Sequence, residues 1–257
     1  MKKSILYLAL TGISIAGCQS KPEAQNAAPP QQDTAAQKEE PVAPKTEKST
    51  AMIYPEIRNY LDALLPALDS LPEERQKPLQ SLANYINNRR ESATEAKLIF
   101  ICTHNSRRSH LSQIWAATAA AYYGVQDGLH TYSGGTEATA FNPRAVAAIE
   151  RAGFRVAPAL GDNPRYEVAY GDEQGAMTCF SKTYDDESNP QENFAAVMTC
   201  SEADENCPFI PGASLRVSLP YVDPKEADGT DREAAAYDER CRQIASEMMY
   251  LMSLVKA

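Results

Sequence analysis

The sequence predicts an α/β domain in which four parallel strands are flanked by helices, with a helical hairpin in front. Leu98-Ile99-Phe100-Ile101 is a short continuous apolar run of the kind found in a strand covered on both faces. Three later runs have strand character: His130–Ser133, Ala195–Thr199 and Leu215–Leu219. Helical spacing at 109–123, 143–153 and 232–255 falls between and after them. Strands alternating with helices are the pattern of a parallel sheet.

Upstream of the first strand, Ile57, Tyr60, Leu61, Leu64, Leu65 and Leu68 lead to Leu71-Pro72, and Leu79, Leu82, Tyr85 and Ile86 follow. The spacing is helical on both sides of the proline, which predicts a hairpin of helices within 51–95 that packs on the domain and lengthens its core. Between Pro164 and Phe194, Arg165–Tyr170 and Met177–Ser181 flank a Gly-Asp-Glu-Gln-Gly stretch and predict a β-hairpin of unassigned purpose.

The first 50 residues have a different character. Lys2 and Lys3 precede an apolar run, Ile5–Ile15, that is too short to span a bilayer and reads as an export signal. Ile15-Ala16-Gly17-Cys18 resembles the bacterial lipobox, so cleavage after residue 17 and lipidation of Cys18 are expected. Residues 18–50 hold no aromatic side chain and are rich in Pro, Gln, Ala, Glu and Lys, a composition that cannot bury enough apolar surface to order itself. They predict a tether holding the folded part on the order of 30 Å from the lipid. The expected location is the cell envelope, anchored to a membrane and facing the periplasm or the exterior.

Charge narrows the partners. Six lysines stand against five acids in residues 1–50, a balance of +1, so of the chain's net −9 the folded part carries −10. That acidity argues against nucleic acid. It also requires any anion site to be built locally from backbone dipoles and a few arginines. His104, His110 and His130 are the only histidines, and exposed loop or cap positions are expected for them. Neither a metal site nor a cofactor is expected.

The chemistry concentrates in Cys102-Thr103-His104-Asn105-Ser106-Arg107-Arg108-Ser109, between the first strand and the helix that carries Leu111, Ile114, Trp115, Ala119 and Tyr122. A loop at a strand's carboxyl end that turns into a helix N-terminus aims successive N–H groups inward and adds the helix dipole, which suits a tetrahedral oxyanion. The same field favours thiolate at Cys102. Arg108 can fork onto two oxygens, Ser109 can donate to the sulfur, and Asn105 can brace the loop.

This motif, C-x5-R-S with Asn at the fourth position, resembles the phosphate-binding loop of low-molecular-weight tyrosine phosphatases and of the thioredoxin-coupled arsenate reductases on the same fold. The resemblance covers about residues 97–257 and implies strand order 2-1-3-4, with Cys102 as nucleophile and Arg108 as oxyanion clamp. Thr103, His104, Asn105, Ser106, Arg107 and Ser109 complete the loop. Tyr132–Glu137 followed by Asn142-Pro143 looks like the family's second strand and its sequel. Asp223-Pro224 matches the family's general acid. Cys200 and Cys207, seven apart at a strand end, resemble the redox segment of the reductases, for which a phosphatase has no use.

The resemblance implies reduction of arsenate to arsenite by a relay of Cys102, Cys200 and Cys207, the pair of electrons coming from two thiols that become a disulfide and a thioredoxin-like protein restoring them. Two other readings stay open: a phosphatase acting on phosphomonoesters through Cys102, Arg108 and Asp223, and a lipid-anchored oxyanion-binding protein without turnover. A plain structural disulfide between Cys200 and Cys207 is the alternative for that pair, and export would favour it. Cys179 and Cys241 are either core thiols or a second pair. The chain departs from the family at His104, where glycine is usual, at Arg107, which is often cysteine, and at Lys225-Glu226, where the phosphatases carry aromatic residues.

Overall fold

The computed structural model describes residues 53–172 and 175–256; the export signal, Cys18 and the tether lie outside the described residues. In chain order come α1 (Pro55–Asp62), a 3-10 turn (Leu65–Ser70), α2 (Glu73–Glu91), β1 (Ala96–Cys102), α3 (Arg108–Tyr122), β2 (Leu129–Gly135), α4 (Pro143–Arg151) and β3 (Arg155–Val156). They are followed by β4 (Tyr166–Ala169), β5 (Ala176–Cys179), β6 (Phe194–Met198), α5 (Ser201–Asn206), β7 (Ala213–Ser218), a second 3-10 turn (Pro224–Ala227) and α6 (Glu233–Ser253).

The main sheet is parallel, in the order β2-β1-β6-β7, which is 2-1-3-4 when only its own strands are counted. Alternation along β1 explains its unbroken apolar run. Leu98 and Phe100 enter one core with α1, α2, α3, α4 and α6, whereas Ile99, Ile101 and Cys102 enter a second core with Phe194, Met198, Cys200, Ala203 and Ile210. Both faces are covered, so both sets of side chains must be apolar. The register pairs Cys102 with Gly135 and Ile101 with Met198. The carboxyl ends of β1, β2 and β6 therefore finish level, at the edge where the chain leaves β1 toward either side, and this is where α/β sheets place ligands.

The N-terminal helices belong to the larger core. Ile57, Leu61, Leu79, Leu82 and Ile86 are fully buried in it, and Tyr60 stacks on Trp115 with ring centroids 5.1 Å apart. Instead of one hairpin turn there are three helical pieces, because Leu71-Pro72 is extended and Pro66 falls at the start of the intervening 3-10 turn. One polar contact ties α2 to the site. Arg75 donates from Nε and Nη2 to Glu247 Oε1 and Oε2 at 2.9 and 2.7 Å, and Glu247 Oε2 accepts from Tyr221 Oη at 2.8 Å. Glu247 is 1% exposed, so removing Arg75 alone would strand a buried charge at a cost of about 3–5 kcal/mol. Arg75 Nη1 also donates to Pro220 O at 3.0 Å. The segment leading to Asp223 is thus held from both α2 and α6.

The predicted hairpin at 165–181 is β4 and β5, and β3 extends it to a three-stranded antiparallel sheet. Among the described residues no helix is long and apolar enough to cross a membrane.

Candidate active site

Cys102 ends β1, and Arg108 opens α3. Between them Asn105 has φ +43°, a left-handed conformation that asparagine tolerates better than most residues. The loop's carbonyls are tied outward. Cys102 O accepts from Thr136 N, Thr103 O from Glu137 N, His104 O from Thr139 Oγ1 and Ser181 Oγ, and Ser106 O from Asn142 N. Among the described residues, no N–H of 103–107 donates to a backbone carbonyl. With carbonyls out and amides unclaimed, the loop is an anion nest at a helix N-terminus. Gly135 makes the arrangement possible, since a Cβ there would lie 2.7 Å from Asn105 N and 2.3 Å from Glu137 O.

Asn105 is fully buried. Its Oδ1 accepts from Lys182 N at 2.9 Å and its Nδ2 donates to Ser109 Oγ at 2.8 Å. Ser109 Oγ lies 3.1 Å from Cys102 Sγ. Because the Ser109 oxygen already accepts from the amide, its own proton is free to point at the sulfur. The structure thus orders Lys182, Asn105, Ser109 and Cys102 in one chain. Of the remaining loop side chains, Ser106 Oγ donates to Ala140 O at 2.8 Å. Arg107 Nε donates to Tyr237 Oη at 2.9 Å and lies 3.9 Å from Asp223.

Arg108 projects from the first turn of α3 to the acid. Its Nη1 donates to Tyr221 O at 3.1 Å and its Nη2 to Asp223 Oδ2 at 2.9 Å. Asp223 Oδ1 accepts from Lys225 N at 3.1 Å, capping the 3-10 turn that follows. Cys102, Arg108 and Asp223, about 120 residues apart in sequence at the extremes, therefore meet at one sheet edge. A cleft of about 270 Å³ opens on the outer face of the loop, lined by His104, Ser106, Arg107, Thr139 and Lys225.

All five described cysteines are free thiols in this structure. Cys200 is buried at the N-cap of α5, its sulfur 3.4 Å from both Ala203 N and Thr103 Oγ1. Cys207, at the other end of the same helix, is half-buried and packs against the smaller core that contains Cys102 and Cys200. Cys179 and Cys241 lie in the larger core, and burial pushes each thiol up to about 12. They are core thiols, inert at neutral pH.

Two expectations about side chains need correction or completion. His104 does not take the left-handed conformation that its glycine-type position suggests, because Asn105 does so instead; its backbone accepts a side chain without strain. His110 is not exposed. It is fully buried on α3, with Nδ1 3.1 Å from Ser133 Oγ and its ring 4.2 Å from that of Phe141. Burial, helped by the Lys182 ammonium, pushes its pKa down to about 3. The unfolded chain takes up this proton near pH ~6.5 and the folded one only near pH 3. The contribution of His110 to stability is thus fully present above pH ~6.5 and lost as pH falls, at about 1.4 kcal/mol per pH unit. His110→Gln should flatten the decline of the urea midpoint between about pH 6.5 and 4.5. An unchanged slope would contradict the assignment.

Sequence reasoning missed Ser181 and Lys182, which brace the loop from the 164–194 segment, and Glu202, whose carboxylate accepts from Thr103 Oγ1 at 3.2 Å and lies 3.9 Å from Arg108.

A strand-to-helix anion nest with a cysteine at its base, an arginine at its rim and an aspartic acid paired with that arginine defines a thiol-based enzyme of oxyanion chemistry. The sequence is 31% identical over 149 residues to an arsenate reductase of Bacillus subtilis, covering 58% of this chain and 88% of the relative. It is 30% identical over 145 residues to an arsenate reductase of Halalkalibacterium halodurans, covering 56% and 86%. A low-molecular-weight phosphotyrosine phosphatase from Vibrio cholerae overlaps it at TM-score 0.42 and 14% identity, covering 62% of this chain and 95% of that one. No family model matches the chain. The chain belongs to the family of low-molecular-weight phosphatases and arsenate reductases, and it is an enzyme of that type.

Proposed function

We propose that the protein reduces arsenate to arsenite through Cys102, Cys200 and Cys207. The observation that carries this reading is the gathering of three free thiols around one small core at the carboxyl edge of the sheet, Cys200 touching the residue next to Cys102 and Cys207 standing farther out. A phosphatase needs only the first. The curated relatives, named arsenate reductases, support the same choice.

The site residues divide the work as follows. Arsenate enters the nest of amides and takes the Arg108 fork, which releases the Asp223 carboxyl toward a departing oxygen. The Cys102 thiolate attacks arsenic, and one oxygen leaves as water with the proton supplied by Asp223. The Cys200 thiolate then attacks Cys102 Sγ. The S–As bond breaks, its electron pair stays on arsenic, and arsenite departs from a Cys102–Cys200 disulfide. Finally the Cys207 thiolate attacks Cys200 Sγ, restoring the Cys102 thiolate and leaving Cys200–Cys207 for a dithiol reductant. The position of Cys207, more exposed than the other two, suits that hand-over.

The alternative, hydrolysis of phosphomonoesters, draws on the same Cys102, Arg108 and Asp223. The segment after Asp223-Pro224 disfavours phosphotyrosine, because Lys225-Glu226 stand where a tyrosine phosphatase carries aromatic rings to sandwich a phenyl group. Assaying the reduced protein against arsenate with a thioredoxin system, and against an aryl phosphate, decides between them. Arsenite formation supports the reduction, and aryl phosphate hydrolysis alone would refute it.

The reading of Cys18 as a lipid anchor leads to a further part of the proposal: the reductant is an extracytoplasmic thioredoxin-like protein. Cys18→Ala should move the protein from the membrane to the soluble fraction with its activity unchanged. Membrane retention of that variant would rule out the lipid as the anchor.

A further inference from the structure

Glu202 belongs to none of the roles above, yet its carboxylate reaches the anion loop. Its Oε2 accepts from Thr103 Oγ1 at 3.2 Å and stands 3.9 Å from Arg108 Nη2, the nitrogen that also holds Asp223. Thr103 Oγ1 in turn lies 3.4 Å from Cys200 Sγ. One hydroxyl thus joins the loop to both the first acid and the capping thiol of α5.

The side chain of Glu202 is 65% exposed and contributes little packing. Helix α5 is held to the sheet by other residues, since Asp204 pairs with Arg216 at 2.6 Å and accepts from Ser218 Oγ at 2.6 Å. A carboxylate in this place has an electrostatic consequence. An arsenate or phosphate arriving at Arg108 carries the same sign, and two anions cannot share that guanidinium without repulsion. Asp223, once released from Arg108, is still needed at the site as the acid. Glu202 is the one free to leave.

We infer that Glu202 is a positioning residue, a tethered anion that latches the α5 segment to the loop and is expelled when an oxyanion binds, so that Cys200 is freed only when there is substrate on Cys102 to act on. The inference deepens the reductase reading and rests on it for its purpose. The coupling gives the relay an order. Without it, Cys200 and Cys102 would be free to close into a disulfide before arsenate arrives, given an oxidant.

The test uses the full chain, inorganic phosphate as a non-reducible probe, and Glu202→Gln, which keeps the shape of the side chain and an oxygen for Thr103 but removes the charge. Glu202→Gln should bind phosphate more tightly by roughly fivefold, the size of one exposed charge contact. Peptide mass spectrometry of N-ethylmaleimide labelling reports Cys200 separately from Cys102. In the unmodified protein, saturating phosphate should accelerate labelling of Cys200, and in Glu202→Gln that acceleration should shrink. Equal phosphate affinity in the two proteins would overturn the inference, and so would labelling of Cys200 that ignores phosphate in the unmodified protein. Neither readout involves turnover. Failure of arsenate to produce a Cys102–Cys200 disulfide would therefore sink the reductase reading while leaving these two results to stand or fall separately.

Discussion

Cys102→Ser should lower turnover of arsenate, and of any phosphate ester the enzyme accepts, by on the order of 10⁴-fold or more, while phosphate binding stays within about twofold. The reason lies in what each part of the loop supplies. Binding comes from the outward-tied loop with its unclaimed amides and from Arg108, none of which the substitution touches. In the proposed reduction, attack on arsenic comes from the sulfur, which Ser109 Oγ approaches to 3.1 Å. A serine hydroxyl is far less ionised than a cysteine thiol and a poorer nucleophile. Calorimetric titration with phosphate alongside an activity assay separates the two effects. Retained turnover would remove Cys102 from the chemistry.

Arg108→Lys should lower kcat/KM by about 10²–10³-fold, comparable with losing a principal oxyanion donor in other enzymes. The guanidinium here makes two contacts in different directions, to Tyr221 O and to Asp223 Oδ2. An ammonium cannot present both nitrogens of a planar fork to an oxyanion, nor hold Asp223 in the same orientation. Both clamp and acid should suffer. The loss should appear in phosphate affinity as well as in kcat, unlike that of Cys102→Ser, and near-normal kinetics would show that the clamp has been misassigned.

Much of this site was legible because its chemistry is local. Cys102, Asn105, Arg108 and Ser109 lie within one loop, and the apolar run before it marks a strand buried on both sides. What escaped depends on contacts between distant residues. Helix α3 was read from the face carrying Leu111, Ile114 and Trp115, but Ser109, His110, Ser112, Gln113 and Thr118 are buried too. Some of that polar face is satisfied by hydrogen bonds to β2, such as Gln113 to Thr131, and by bonds back along the helix. Periodicity of apolar residues cannot reveal a buried polar face, so His110 was expected outside. The Arg75–Glu247 pair joins residues 172 apart, and nothing near either one announces the other. Strand β3 has two residues, too few for any pattern. Glu202 sits among other acids in Ser201–Asn206, where a charge normally means solvent and not an arginine in an anion site.

The central claim is that the three thiols act in sequence, and the most direct measurement is made on Cys207→Ser. The reduced variant, given one equivalent of arsenate, is quenched with a thiol-blocking reagent and its peptides are analysed by mass spectrometry. Removing Cys207 leaves attack by Cys200 possible and blocks only the last exchange. The account predicts a single turnover, one arsenite released per chain, and accumulation of a peptide pair joined through Cys102 and Cys200. Arsenite release without that disulfide, or continued turnover with Cys207 replaced, would contradict it.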